Sequence, residues 1–508
     1  MKKFLLSFCL TAAAVMSLSA ESRYTGTIQV TRNGNTSTET ATVIVNEQDN
    51  GDNLNTLTLK VPFMGLNLNL NMVDVPSATT GAITTYSAER TVSTGTYLGD
   101  MYTIVFARVT DGMMAANVTI PAYGVTMWFN TVGDHFQLPN SNMEAWNDDI
   151  NEPLHWHSFM TAYGTFASTS RGLAKLAKSE DVHPGATGEY SAVMTAGQFL
   201  TTIANGTMTN GRLKAGSISA SSRDNHAEMC QDSTSTDPNG DLYYMPLYAK
   251  PDKFNAWLKY TQGSPKDSWR ANVSVKTFDG SYYQEPDPGV VYTNLSGSIV
   301  GGTDIKACDW TFFSFPFDYD SYAANGAETK AIFVDFATNV TPGTGSKNDA
   351  LYVDDLELVY LGAITDLRYQ GTTISGWDPA VTAYDLEVAD VPNLDDFTAT
   401  IEGVSAVLTK TIEQNQDGTY RIAISVVAAD LQTAACYIIT ATKAAQQGMP
   451  GDVDGNGRVE IADVSALIDY LLSGNTAGIN MVNADIDQDG DVAIGDVSQL
   501  IDMLLNGN

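Results

Sequence analysis

The segment Leu66-Asn67-Leu68-Asn69-Leu70-Asn71-Met72 alternates strictly between apolar and amide-bearing positions. As an extended chain it turns one face to a core and the other to water. Similar short runs at residues 40–45, 102–109 and 125–129 are separated by Gly, Asn and Asp turns, so residues 21–142 are expected to form antiparallel β structure, closed as a barrel or stacked as a sandwich. From residue 143 the strand-type runs become aromatic, at 254–260, 310–317 and 351–360, with a Gly-punctuated stretch at 206–217. Residues 362–443 carry shorter runs at 383–388, 398–401, 420–427 and 437–441, with Asp417-Gly418 as a hairpin turn.

Near the end the period changes from two to that of a helix. Leu467-Ile468-x-x-Leu471-Leu472 and Leu500-Ile501-x-x-Leu504-Leu505 place apolar residues at i, i+1, i+4 and i+5, and each such face is expected to be buried against the other. The fold class expected is a mainly β multi-domain chain with a small α-helical module at its end.

Charge sharpens the reading of that module. The net charge of −32 argues against nucleic acid or an anionic membrane as partner. Residues 451–508 hold ten Asp and one Glu against the single Arg458. Such density calls for a cation. Two segments align at an offset of 33 residues: Asp452, Asp454, Asn456, Arg458, Glu460 and Asp463, then Asp485, Asp487, Asp489, Asp491 and Asp496. Oxygen ligands at loop positions 1, 3, 5 and 12, a backbone carbonyl at 7 and a glycine at 6, here Gly457 and Gly490, are what a calcium loop requires. Position 12 is Asp where an ordinary EF-hand has Glu, and Val459 and Val492 are placed to pair the loops. Two Ca2+ ions are expected.

The duplicated loops and helices resemble a type I dockerin over residues 451–508. The resemblance implies docking onto a cohesin-like protein module, with loop positions 10 and 11 reading the partner. These are Ile461-Ala462 and Ile494-Gly495, without the hydroxyls that many dockerins carry there, and Ala493 stands where a polar residue usually supports calcium through water. An unusual partner or an intramolecular contact is equally compatible with an apolar docking pair.

Two further resemblances cover the front. Residues 21–142 resemble the calycin-like barrels of secreted Bacteroidetes proteins, which leaves a carrier of an apolar ligand as one alternative; a filled interior is the ordinary outcome for so small a barrel. Residues 143–361 resemble a jelly-roll family called the "putative carbohydrate metabolism domain", and residues 362–443 read as an immunoglobulin-like spacer, with 444–450 as a linker. The jelly-roll resemblance implies sugar recognition, which needs flat apolar faces beside polar groups. Trp269, Tyr282 and Tyr283 lie in polar, turn-rich surroundings and are the first candidates. Trp310 is a further one, and Trp257, between Ala256 and Leu258, is expected to be buried. The Asp354-Asp355 pair is expected at a strand end, as a calcium ligand or a solvated turn.

Met1-Lys2-Lys3, an apolar run over 4–15 and small residues over 17–20 predict a cleaved export signal at residues 1–20. It is too short to span a bilayer, so a secreted, periplasmic or cell-surface location is expected. Cys230, Cys308 and Cys436 form no disulfide framework, although a Cys230–Cys308 bridge stays open. His155-Trp156-His157 would put two imidazoles on one strand face without an evident third ligand. No Gly-x-Ser-x-Gly elbow, His-Glu-x-x-His motif or phosphate loop is present. The sequence therefore favours a non-catalytic glycan-binding or carbohydrate-utilisation accessory protein, with a glycoside hydrolase-like enzyme sited in 143–361 as the alternative.

Overall fold

The computed structural model describes residues 20–506 apart from 52, 64, 81–82, 92–93, 96–101, 111–112, 132–135, 230–234, 267, 432 and 445–447. The expected export signal lies outside the described residues except for Ala20, and so does Cys230. The chain divides into two compact units. One comprises 1–384, 393–414 and 421–440; the other comprises 385–392, 415–420 and 441–508.

The first unit begins with β1 (Ala20–Arg32), β2 (Asn35–Gly51), β3 (Leu54–Phe63), β4 (Leu66–Thr80), β5 (Ile83–Thr91), the short β6 (Thr94–Gly95), β7 (Tyr102–Thr110), β8 (Met113–Ile120) and β9 (Val125–Asn130). Successive strands pair antiparallel except that β5 pairs with β7 and the short β6 pairs with β4, and β1 also pairs with β9. The long β4 pairs with β3 through its first part and with β5 through its last. These pairings close the sheet into a barrel, which removes the exposed strand edges of an open sheet. The alternation seen in sequence is kept: Leu68, Leu70 and Met72 point inward and pack with Leu57, Leu59, Met127 and Phe129.

A jelly-roll sandwich follows. Its strands are β10 (Lys175–Ser179), β11 (Ser191–Thr195), β12 (Thr207–Thr209), β13 (Arg212–Ala215), β14 (Asn225–Met229), β15 (Lys253–Thr261), β16 (Ala271–Phe278), β17 (Tyr283–Glu285), β18 (Leu295–Ile299), β19 (Cys308–Asp318), β20 (Ala331–Ala337) and β21 (Ala350–Val359). The main path runs β10-β11-β21-β15-β19-β18-β16-β20-β12, and β13-β14-β17 form a separate small sheet. Most of β19 pairs with β15, while its last residues, Phe317 and Asp318, pair with β18. That strand therefore joins the two layers. Trp156, Phe254, Leu258, Val273, Phe333 and Phe336 fill the space between them.

After the sandwich in the chain, Ala363–Tyr369, Thr372–Thr373 and Phe397–Glu402 form one small sheet, and Ala383–Val388, Ala434–Lys443, Tyr420–Val427 and Val407–Gln414 form another. Gly418 takes φ +84° in the hairpin turn between the last two, a backbone angle that glycine adopts without strain.

The second unit carries α1 (Ile461–Ser473) and α2 (Ile494–Asn506). Leu467 and Leu500 are fully buried with Val453, Ala484, Ile486 and Val497. The expectation that the whole apolar pattern would be buried fails here. Ile468, Leu472, Ile501 and Leu505 are all exposed. Successive helical residues are turned by about 100°, so positions i and i+4 face inward while i+1 and i+5 swing out to solvent. Among the described residues no helix is long and apolar enough to cross a membrane.

Candidate functional site

The two acidic loops of the second unit are built alike. Gly457 donates its N–H to Asp452 Oδ2 and Gly490 donates to Asp485 Oδ2, each at 3.0 Å. Their φ angles of +84° and +95° make the sharp reversal that lets those amides point inward. The closing carboxylates are tied down through both oxygens. Asp463 accepts from the amides of Asp454 and Glu460, and Asp496 accepts from those of Ile486, Asp487 and Ala493. Asn456 accepts from the amide of Arg458 and Asp489 from that of Asp491.

Carboxylate oxygens of Asp452, Asp454 and Asp463 lie within 4.8 Å of one another, as do those of Asp485, Asp487 and Asp489. Asp452 is 5% exposed and its Oδ1 is buried without a hydrogen-bond partner, which is costly unless something cationic satisfies it. Desolvation, with the charges of Asp489, Asp496 and Asp485, pushes the Asp487 carboxyl up despite an amide hydrogen bond from Asp489. An all-oxygen donor set of this kind fits a hard divalent cation. Arg458, Glu460 and Asp491 are exposed at the loop rims.

The expected docking residues Ile461, Ala462, Ile494 and Gly495 all face solvent, with Ile461 80% and Ile494 72% exposed. Helical spacing places Ile461, Ser465, Ile468 and Leu472 on one side of α1, and Ile494, Ser498, Ile501 and Leu505 on the same side of α2. Two equivalent apolar stripes result. The sequence pattern assigns Leu472 and Leu505 to the core, whereas their exposure extends these stripes.

In the sandwich the predicted sugar-facing residues do not form one site. Tyr283 is 4% exposed, with its ring against Phe278 and Phe333 and its hydroxyl donating to Glu285. It is a core residue and not a platform. Tyr282 is 46% exposed, yet its hydroxyl is engaged by Glu228 and Gln284. Trp269 is half-buried on a loop, with the Lys266 ammonium 4.8 Å above its ring.

Glu228 anchors a network that gave no sequence signal. It accepts from Tyr163, Arg212, His226 and Tyr282. Burial opposes its ionisation, but hydrogen bonds from His226, Tyr163, Arg212 and Tyr282 outweigh it and hold the carboxyl at about 2.

A different aromatic face emerges from strand register. Trp257 lies opposite Phe312 of β19 and Asp354 of β21, and Lys259 opposite Tyr352. Trp257 is half-buried rather than buried, because it lies on the outer side of β15 and is covered by His183, which stacks flat on it at 4.3 Å. Phe312 is 49% exposed and 5.5 Å from Trp257. Trp310 stands edge-on to Tyr352, and its Nε1 donates to Asp181 at 2.9 Å. Lys259 Nζ bridges Asp181 at 2.9 Å and Asp309 at 3.3 Å. Desolvation is again outweighed, and the hydrogen bonds from Trp310 and Lys259 hold the Asp181 carboxyl below its ordinary range. The face thus offers an open ring edged by polar groups.

Asp354 and Asp355 lie within β21 and not at its end. The register with β15 shifts there, and Asp355 takes φ +42°, so both acids are presented at an irregularity in the strand. Asp355 accepts from His183 Nε2 at 2.7 Å. Asp354 is 2% exposed, and burial together with the Asp355 charge pushes it up to about 7.

The two histidines do not share a strand face either. His155 is 3.2 Å from Asp241, whereas His157 is buried with Nδ1 3.9 Å from both Glu152 and Asp237. Asp237 and Asp241 come from some eighty residues further along the chain, and only Glu152 is near in sequence.

The second unit thus pairs two acidic loops, each followed by a helix with an exposed apolar stripe. Residues 450–505 match the family described as the dockerin type I domain. A search of curated protein sequences gives no match. Among solved structures, one similar chain is a "putative glycoside hydrolase" from Bacteroides thetaiotaomicron, 12% identical, covering 61% of this chain and 88% of its own, at TM-score 0.31. Another, from Bacteroides vulgatus with the same description, is 18% identical and covers 36% of this chain and 76% of its own at TM-score 0.24. A third is the M60 catalytic domain with two CBM51 domains of Clostridium perfringens ZmpB, 8% identical, covering 84% of this chain and 40% of its own at TM-score 0.16. At these scores the likenesses fix neither fold nor activity.

Proposed function

We propose that this is a secreted, non-catalytic glycan-binding accessory protein of carbohydrate utilisation, attached to a cohesin-like partner module through calcium-dependent docking of its dockerin. The aromatic face around Phe312 and Trp310 carries the glycan reading. An exposed ring can stack on the C–H face of a pyranose, while Asp181, Asp309 and Lys259 stand ready for its hydroxyls. Attachment is supported by the two converged acidic loops and by the exposed stripes on α1 and α2. In each loop one Ca2+ would be held by the first, third, fifth and twelfth residues, with the carbonyls of Arg458 and Asp491 completing the shell.

Electrophoresis of the full chain through gels containing individual polysaccharides tests the glycan reading. Retardation in at least one gel is expected, with Phe312→Ala weakening it several-fold for a lost contact of about 1 kcal/mol. No retardation by any polysaccharide, or retardation unchanged in both Phe312→Ala and Trp310→Ala, would count against it.

A further inference from the structure

A cleft of about 220 Å³ opens beside β16 and β20 and the small sheet β13-β14-β17, and neither Trp257, Trp310 nor Phe312 lines it. Its walls include Phe159, Phe166 and Leu213, and two carboxyl side chains, Asp335 and Glu285, line it. Asp335 lies opposite Ser274 in the β16–β20 register. Ser274 Oγ is hydrogen-bonded to both oxygens of Glu285, at 2.9 and 3.0 Å, so the two acids flank one serine. Tyr283, which the sequence placed at a sugar, donates to Glu285 at 2.8 Å and positions it.

The polar groups of this cleft are short of donors. Asp335 Oδ1 and Asn205 Oδ1 are both buried without a hydrogen-bond partner. The cations around the cleft are already engaged. Lys276, two residues along β16 from Ser274, donates to Ser298 at 3.0 Å. Lys214 is 3.9 Å from Asp224, and His226 is held by Glu228 and the Arg223 carbonyl. Burial, and secondarily the Glu285 charge, pushes the Asp335 carboxyl well above its ordinary range. The site therefore sets two acids against apolar carbon, with its lining cations Lys214 and His226 turned to other acids.

We propose that this cleft binds a small organic amine, with its ammonium group between Glu285 and Asp335 and its carbon body against Phe159, Phe166 and Leu213. An ammonium brings three N–H donors and the missing charge. An anion would be repelled. A neutral polyol would satisfy the hydrogen bonds but bring no charge to offset the burial of the Asp335 carboxyl. Burial favours the neutral Asp335 carboxyl and a seated ammonium favours the ionised one, so binding is expected to draw a proton from this carboxyl to the buffer, and charge is conserved.

The test is calorimetric titration of the full chain, in two buffers of different ionisation enthalpy, at mildly acid pH where the amines are protonated. The probes are glucosamine, N-acetylglucosamine, glucose and benzylamine. Glucosamine or benzylamine should bind with release of up to one proton, at least tenfold more tightly than N-acetylglucosamine or glucose; which of the two is preferred separates an amino sugar from an aryl or alkyl amine. Asp335→Asn should abolish the proton release and Glu285→Gln should weaken binding at least tenfold, with both variants checked for an unchanged melting temperature. Phe312→Ala should leave benzylamine binding and the proton release unchanged, so failure of the glycan face leaves this result standing. Binding of neither amine, equal binding of glucose, or binding without proton release overturns the proposal.

Discussion

Removing divalent cations should unfold the dockerin and leave the β unit intact. The carboxylate oxygens in each loop lie within 4.8 Å of one another. At that distance each pair repels by about 1 kcal/mol in water and by about 3.5 kcal/mol at an effective dielectric near 20. Asp452 and Asp463 are 5% and 0% exposed, which puts their mutual term toward the larger figure. Ion binding reverses the sign. A site filled at a hundred times its Kd adds about 2.7 kcal/mol to stability, so two such sites add about 5 kcal/mol. A domain of this length has only about 3–8 kcal/mol in total. Its small core, six buried residues in one cluster, has little to spare when the ions leave. Hydrogen exchange read by mass spectrometry, with calcium and then with chelator, checks this directly. Peptides covering α1 and α2 should lose protection while those from β15 and β20 keep theirs. Equal protection of α1 and α2 in both conditions would refute the reasoning.

Two other outcomes follow from particular side chains. Replacing Ile461 and Ile494 together by Asp should abolish capture by a cohesin-like module while shifting stability by no more than about 0.5 kcal/mol, since both are exposed; thermal melting and pull-down separate the effects. Glu228 is held at about 2 against an ordinary 4.5, so its folded pKa is depressed. Its contribution to stability is present above the ordinary value and is lost as pH falls toward the folded one. Glu228→Gln should therefore cost about 3 kcal/mol at neutral pH, leaving Arg212 and His226 without their acceptor, and should flatten the acid limb of a urea-denaturation series. An acid limb of unchanged slope would show that Glu228 plays no such part.

The local features were legible because their signals are local. The alternation over residues 66–72 set the inward and outward faces of β4, since side chains along a strand have a period of two. The 33-residue duplication placed the loop acids, because calcium-loop ligands come from one short segment. Asp417-Gly418 marked its hairpin for the same reason. Where sequence reading failed, the deciding neighbour came from elsewhere in the chain. Tyr283 carries the same polar-neighbour signal as Tyr282, yet only its packing against Phe278 and Phe333 makes it core. Trp257 looks buried between Ala256 and Leu258, but the pleat turns it outward onto His183.

By itself, then, the sequence determined a mainly β chain, its strand faces and a duplicated acidic loop–helix module, all of which depend on periodicity and short spacing. Only the tertiary structure decided that β1 pairs with β9 to close the barrel. It alone set Phe312 beside Trp257, and Asp335 and Glu285 on either side of Ser274. Those juxtapositions rest on strand register and layer packing between segments tens to hundreds of residues apart, and no local pattern of side chains encodes them.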